Sequence, residues 1–263
     1  MLIASWNVNS ITVRLHHVLD WLKKESPDHL CLQELKSVEE KFPFEQFADL
    51  GYSAHVVGEK TYNGVAILSK STTECVSKNL PDAPEPLQSR LIEVCQNGVY
   101  ILNLYVPNGS EVGSSKYLYK LAWFKALISY IEERHCQDGV VTSKLVICGD
   151  FNIAPEDRDC HDPVEWQGQV LVSEPERECF RSLINMGMID SFREFEEGEG
   201  HFSWWDYRMM AFRRKRGLRI DHILVSSPLQ DALKRSWIDI EPRRLDKPSD
   251  HAPVLAEIEV SEE

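Results

Sequence analysis

Five times along this chain, a polar cluster rich in Asn, Gln, Asp, Glu or His stands at one end of an apolar run only a few residues long. Met1-Leu2-Ile3-Ala4-Ser5-Trp6 leads to Asn7 and Asn9, and His29-Leu30-Cys31-Leu32 leads to Gln33-Glu34. The other three clusters are Tyr105-Val106-Pro107-Asn108, Gly149-Asp150-Phe151-Asn152 and Ser249-Asp250-His251. Runs this short, bounded by turn residues, read as buried strands rather than helices. Further strands are expected at 63–69, 99–106, 144–148, 220–225 and 252–258. Between them lie helical stretches. Residues 11–24 carry Val13, Leu15, Val18, Leu19 and Leu22 on one stripe, stopped by Ser26-Pro27, and helices are also expected over 115–133 and 176–186. Interleaved strands and helices, with several strands in hairpin-like succession, predict an α/β fold in which a pair of mixed sheets is flanked by helices. At 263 residues and 43% hydrophobic, the chain supports one large core, and no linker, repeat or low-complexity tract divides 1–263 into more than one domain.

The same pattern constrains the chemistry. Strand ends and the loops beyond them are where a rigid scaffold presents reactive groups. One Asp at a strand end is usually a helix cap or turn residue; five clusters of carboxylate, carboxamide and imidazole are poorly explained as caps. Carboxylates with carboxamide oxygens suit Mg²⁺, with Mn²⁺ as a substitute, because these ions prefer oxygen and keep waters that a phosphate displaces. No HExxH, CxxC pair or glycine-rich phosphate loop is present, which makes zinc-peptidase and P-loop readings poor. His251 is the histidine that sits beside a strand-end carboxylate, Asp250, whereas the pair His16-His17 falls on a helix and reads as structural.

A formal charge of −13 opposes binding to a polyanion, but the charge is unevenly spread. Residues 207–219 hold Arg208, Arg213, Arg214, Lys215, Arg216 and Arg219 without one acid, and Arg243-Arg244 and Lys247 form a second basic cluster. Acids crowd instead into 194–199 and 257–263. A solvated loop and a phosphate-binding surface both fit the first basic run. The seven cysteines are scattered and odd in number, which argues against a disulfide framework, and Cys31 and Cys148 fall in apolar strands as small buried hydrophobes. With no signal-peptide pattern and no apolar stretch of membrane-spanning length, a cytoplasmic location is expected.

The runs Ser5-Trp6-Asn7-Val8-Asn9, Leu32-Gln33-Glu34, Asn63-Gly64-Val65-Ala66, Gly149-Asp150-Phe151-Asn152-Ile153-Ala154-Pro155, Arg219-Ile220-Asp221 and Lys247-Pro248-Ser249-Asp250-His251-Ala252-Pro253-Val254 resemble the exonuclease III family of apurinic/apyrimidinic endonucleases, in order and from Met1 to about residue 259. The resemblance implies a four-layered α/β sandwich with two mixed sheets packed face to face and helices outside. It implies incision of DNA 5′ to abasic sites leaving a 3′-hydroxyl, with 3′→5′ exonuclease and 3′-end trimming, in base excision repair. The implied substrate is double-stranded DNA with abasic sites or blocked 3′ ends, met by a monomer. The chain opens at its first strand, without the extension of animal members, so a bacterial, nucleoid-associated protein is expected.

By the same resemblance, Glu34 is the principal Mg²⁺ ligand, with Asn7, Asn9, Asp250, Asp150, Asn152 and His251 around the ion. Asp150 orients or deprotonates the attacking water, Asn152 bonds a phosphate oxygen, and His251, oriented by Asp221, contacts the scissile phosphate. Tyr105 contacts the phosphate or the leaving oxygen, and Asn108 faces the phosphate. Some relatives carry Asp where this chain has Asn9, which leaves open whether one or two metals bind. Either Asp150 or His251 fits the general base. Trp204, Leu218 and Ile220 match the pocket that admits a baseless sugar, although some relatives have Trp in place of Leu218. Leu218 and Ile220 lie on one side of an extended segment, and Asp221 on the other. Arg213, Arg214, Lys215 and Arg216 are the candidate DNA contacts. Two other readings remain: a different phosphodiesterase or phosphatase of the same fold, disfavoured by the aromatic-basic stretch 202–219, and an inactive binding protein, disfavoured because the catalytic positions are filled.

Overall fold

The computed structural model describes residues 1–260, so the last three residues of the acidic stretch 257–263 lie outside the described residues. In chain order the elements are β1 (Leu2–Asn7), α1 (Ile11–Glu25), β2 (His29–Gln33), α2 (Phe44–Ala48), β3 (Ser53–Val57), β4 (Val65–Ser69), β5 (Glu74–Ser77), β6 (Leu91–Gln96), β7 (Val99–Tyr105) and α3 (Ser115–His135). They continue with β8 (Cys136–Gln137), β9 (Val140–Val141), β10 (Lys144–Asp150), α4 (Pro163–Trp166), α5 (Glu174–Asn185), β11 (Met188–Asp190), β12 (Asp221–Ser226), β13 (Leu233–Ile238) and β14 (Val254–Ile258). Two sheets of six strands result, in the orders β13-β14-β1-β2-β4-β3 and β11-β12-β10-β7-β6-β5. Each is mixed: β1–β2 and β10–β7 pair in parallel, and the remaining neighbours are antiparallel.

Strand alternation separates the layers. In β1 and β2, Ile3 and Cys31 face the second sheet, where they meet Ile101, Val146, Cys148 and Ile223. Ala4, Trp6, Leu30 and Leu32 face the other way and are covered by Val18, Trp21 and Leu22 of α1. The second sheet turns Leu102, Leu104, Leu145 and Ile147 outward against Trp123, Phe124 and Leu127 of α3 and Phe180 and Leu183 of α5. Fully burying a side chain of this kind contributes about 1.5–3 kcal/mol, so both faces of both sheets need a cover. The expected layering of two sheets between helices is what the chain adopts.

Local signals set the helix ends. Ser26 closes α1 in a left-handed conformation (φ 49°) with its N–H on Leu22 O, ahead of Pro27. The helix expected at 176–186 begins earlier, at Glu174, because Ser173 and Glu176 form a reciprocal capping box. The edge strands β3, β5 and β13 carry no continuous apolar run; they are half-exposed, and pairing rather than composition makes them strands. The cysteines form no disulfide. Among the described residues, no helix is long and apolar enough to cross a membrane.

Candidate active site

Strand register gathers the polar clusters. In the first sheet, Asn7 of β1 lies opposite Gln33 of β2, so Glu34 follows beside Asn7. In the second, Asp150 of β10 lies opposite Tyr105 of β7 on one side and Asp221 of β12 on the other. The buried Asn7 carboxamide then joins the sheets, donating to Glu34 Oε1 at 3.0 Å and Asp150 Oδ2 at 2.9 Å. Deeper in the sandwich a second carboxamide pair does the same, Gln33 Nε2 donating to Asn103 Oδ1 at 2.7 Å. Gly149 permits this arrangement: its φ is 143°, and a Cβ there would stand 1.9 Å from Leu104 O. Only a residue without a side chain lets β10 deliver Asp150 at this depth.

His251 completes the centre. Its Nδ1 lies 2.8 Å from Asp221 Oδ2, and its Nε2 points to Asp150 Oδ2 at 3.8 Å. The loop that carries it is tied to β1, since the Ser249 hydroxyl donates to Asn7 O at 2.7 Å and the Trp6 indole donates to His251 O. Ligand atoms of Glu34, Asp150 and His251 all lie within 4.8 Å of one another. Asn9 and Asp250 stand beside this group and are bonded together, Asn9 Nδ2 to Asp250 Oδ1 at 2.9 Å. The Trp204 indole N–H occupies the other Asp250 oxygen at 3.1 Å. Asn152 donates to Val106 O and accepts from Asn108 Nδ2 at 2.9 Å, so these two carboxamides form one unit. Glu34, Asn9 and Asn152 all adopt left-handed backbone (φ 51°, 45° and 50°), a concentration of strained conformations typical of functional sites.

Burial pushes the Asp150 carboxyl up to about 7, helped by Asp221 and Glu34 and opposed by His251. Burial alone would depress His251, but Asp221 and Asp150 outweigh it and raise the imidazole to about 10. Glu34 is also desolvated, yet Lys36, Asn7 and His251 keep it below the usual carboxylate range. Tyr105 is held well above the ordinary phenol range by burial and by the Glu34 and Asp150 charges. The site is thus a nest of carboxylates with one imidazolium and a surplus of negative charge.

Two basic residues here escape sequence reasoning. Lys36 Nζ sits 3.0 Å from Glu34 Oε2 and 2.6 Å from Asn9 Oδ1, and Arg90 stacks over the Tyr105 ring at 4.5 Å. Neither belongs to an apolar run ending in a polar cluster; the left-handed turn at Lys36, two residues after a candidate ligand, is visible only in the backbone.

Leu218 and Ile220 share one small apolar cluster with Ala154, Leu171 and Val172, and Asp221 faces away from it, as the alternation predicts. Both are closed off, at 0% and 1% exposure, with half-buried Trp204 packed against them. In this arrangement Trp204 alone of the three offers surface. The basic run divides in a way composition does not reveal. Arg213, Arg214 and Lys215 are exposed and have no ion-pair partner among the described residues. Arg216 is paired with Glu165, Arg208 with Asp206, and Arg219 is buried. Arg243 of the second cluster is buried as well, against the rings of Trp205, Tyr207 and Phe212.

Comparison with known proteins agrees with this geometry. Residues 4–251 match the Endonuclease/Exonuclease/phosphatase family. Exodeoxyribonuclease III of Haemophilus influenzae is 34% identical over 269 residues, covering 98% of this chain and 99% of that protein. The structure of the 3′ phosphatase NExo from Neisseria bound to product DNA hairpin superposes with a TM-score of 0.94 at 44% identity, over 99% of this chain and 100% of that one. An AP endonuclease from Archaeoglobus fulgidus gives 0.92 at 39% identity, again over 99% and 100%. The chain belongs to the endonuclease/exonuclease/phosphatase family, in its exonuclease III group.

Proposed function

We propose that the protein is a Mg²⁺-dependent DNA-repair phosphodiesterase that incises the backbone 5′ to abasic sites, leaving a 3′-hydroxyl, and that trims 3′ ends by 3′→5′ exonuclease action. The observation that carries this reading is the convergence of Glu34, Asp150 and His251 within 4.8 Å, close to phosphate-type donors on Asn152 and Asn108. The relatives are named for these activities on DNA, one of them a 3′ phosphatase, so removal of a 3′-phosphate falls within the same proposal.

The residues fit a hard divalent ion. Carboxylate oxygens dominate the donor set, and the Asp221 and Glu34 charges add to burial in pushing Asp150 up. Glu34 and Asp150 are the ligands that would hold Mg²⁺, or Mn²⁺ in its place, with His251, Asn9, Asn152 and Asp250 around it; the ion supplies positive charge to a phosphate oxygen and orients water. Asn7 presents N–H to both carboxylates while its own oxygen accepts from Asn9 N, so its role in this arrangement is to hold Glu34 and Asp150 in place.

Phosphodiester hydrolysis needs an aligned water, a base and donors at the oxygens where charge accumulates. Asp150 is the base: its Oδ1 accepts from Asn152 N–H, and its Oδ2, which also accepts from the Asn7 carboxamide, is the oxygen beside His251 Nε2. His251 is committed to Asp221 through Nδ1 and presents Nε2–H to a phosphate oxygen. Asn152 and Asn108 supply carboxamide N–H groups, and Tyr105 remains a neutral phenol able to donate toward the leaving oxygen. Arg213, Arg214 and Lys215, with Arg216 behind them, meet the DNA backbone, and Trp204 over Leu218 and Ile220 receives the baseless sugar. We place this activity in one domain spanning 1–263, a monomer acting at the nucleoid of a bacterial cytoplasm. The deciding experiment incubates the protein with abasic and 3′-phosphate duplexes. Cleavage should vanish in EDTA, return with Mg²⁺ or Mn²⁺, and demand far more metal in Glu34→Ala. Full activity in excess EDTA refutes the reading.

A further inference from the structure

One ammonium group lies inside the second sheet's helical layer. Lys120, in the second turn of α3, is 1% exposed, and the aliphatic stem passes under the loop that follows β7. Its three N–H donors are all committed: to Asn108 O at 3.2 Å, to Asn152 O at 2.6 Å, and to the carboxylate of Glu176. Glu176 is itself fully buried in α5, where it accepts from Leu171 N at 3.1 Å, Ser173 N at 3.2 Å and the Ser173 hydroxyl. The Tyr117 hydroxyl, one turn before Lys120, closes the network onto Ser173 at 2.6 Å.

Packing gives no reason for an ion pair here. An apolar side chain of similar volume fills such a space without desolvating a charge, and exchanging a buried pair for apolar residues is often neutral or stabilising. Direction explains it. The two carbonyls that Lys120 grips belong to the residues whose carboxamides bond to each other at the catalytic centre, one after β7 and one after β10. Asn152 is also left-handed, a conformation that neighbouring bonds have to maintain.

We infer that Lys120, braced by Glu176, is a positioning residue: it locks the backbones of Asn108 and Asn152 together so that their carboxamides face the scissile phosphate as a single preorganised unit. The inference rests on the phosphodiesterase reading above. Lys120 touches no substrate, and its contribution passes through the two asparagines.

The test uses the full chain with Mg²⁺ and an abasic duplex. Lys120→Met alone strands a buried carboxylate and reports folding, so the informative variant is the pair Lys120→Met with Glu176→Gln. Its melting temperature and KM should stay near wild type while kcat falls about tenfold or more, since sub-ångström misplacement of a catalytic group costs rate rather than binding. In an Asn152→Ala background the same pair should cost less than about twofold further, because the unit it positions is already broken: Asn108 Nδ2 has lost the Asn152 oxygen it bonds. If the pair does not fold, Lys120→Gln with Glu176→Gln, which also leaves no unpaired buried charge and removes the three-donor ammonium, should lower kcat at constant KM. An unchanged kcat, or a loss that multiplies in full on Asn152→Ala, overturns the inference while leaving the phosphodiesterase reading intact. A wild-type protein inactive on both abasic and 3′-phosphate DNA refutes that reading itself.

Discussion

Replacing Arg219 with Met should destabilise the protein steeply at neutral pH and much less in acid. Arg219 lies between the two pocket residues Leu218 and Ile220, but its guanidinium points away from them, to Asp159 at 2.6 Å, Asp190 at 2.7 Å and His222 Nδ1 at 3.0 Å. All of it is buried. Desolvation would raise Asp159, yet Arg219 and Arg193 hold it down at about 2; from an ordinary 3.8, at about 1.4 kcal/mol per unit, that is roughly 2 kcal/mol of stabilisation. Desolvation first, then Arg219, depress His222 from 6.5 to about 4, a linkage of roughly 3 kcal/mol. Both folded values lie below the unfolded ones. The contribution of this cluster is therefore full above about pH 6.5 and is lost as His222 is titrated down to about 4 and Asp159 from about 4 to about 2. In Arg219→Met, Asp159 and Asp190 are left facing each other without their shared cation, and breaking such a buried pair costs about 3–5 kcal/mol. The folded-state proton affinity of Asp190 then rises, that of Asp159 less because Arg193 stays beside it, and His222 loses the smaller of its two main depressing causes, so acid weakens the variant less than the wild type. Urea unfolding at about pH 7.5 and about pH 5 measures the difference, which should be several kcal/mol at the first and clearly smaller at the second. A deficit under about 1 kcal/mol, or one that does not change with pH, refutes the assignment of Arg219 as the keystone of this cluster.

Three further outcomes follow from the site. Asp150→Asn keeps shape but removes a proton acceptor, so turnover should drop about 10²-fold or more with abasic-DNA binding retained; a rate near wild type, in a standard cleavage assay, takes Asp150 out of the mechanism. Neutralising Arg213, Arg214 and Lys215 together should flatten the log-affinity against log-salt slope by roughly one unit per phosphate contact, and Arg216→Ala should change it less because Arg216 is tied to Glu165. An unchanged slope in the triple variant makes the run a solvated loop. Trp204→Ala should leave melting largely intact, since the ring is only half-buried, and should erode the preference for abasic over undamaged duplex. A large fall in melting with an unaltered preference would mean that Trp204 is core.

The two levels of description divide along the range of the interactions. Apolar runs ending in polar clusters are local features, and each already specifies a buried strand with chemistry at its tip. The layered fold and the residues Asn7, Glu34, Asp150, Asn152 and His251 were therefore legible in the chain. The alternation through Leu218, Arg219, Ile220 and Asp221 was legible too, because side chains in extended backbone must point to opposite sides. What composition could not tell was which charges are spent inside the protein. Arg219 and Arg243 counted toward basic clusters until burial removed them from the surface, and Lys120, on an otherwise ordinary helix, proved to hold two loops. Nor does any run of residues state that Asn7 will bond Asp150, 143 positions away. That contact exists because parallel pairing in each sheet brings both strand ends to one edge and sheet-on-sheet packing sets the distance between them. Such partnerships depend on register and layer geometry, which arise only once the whole hydrophobic core has assembled.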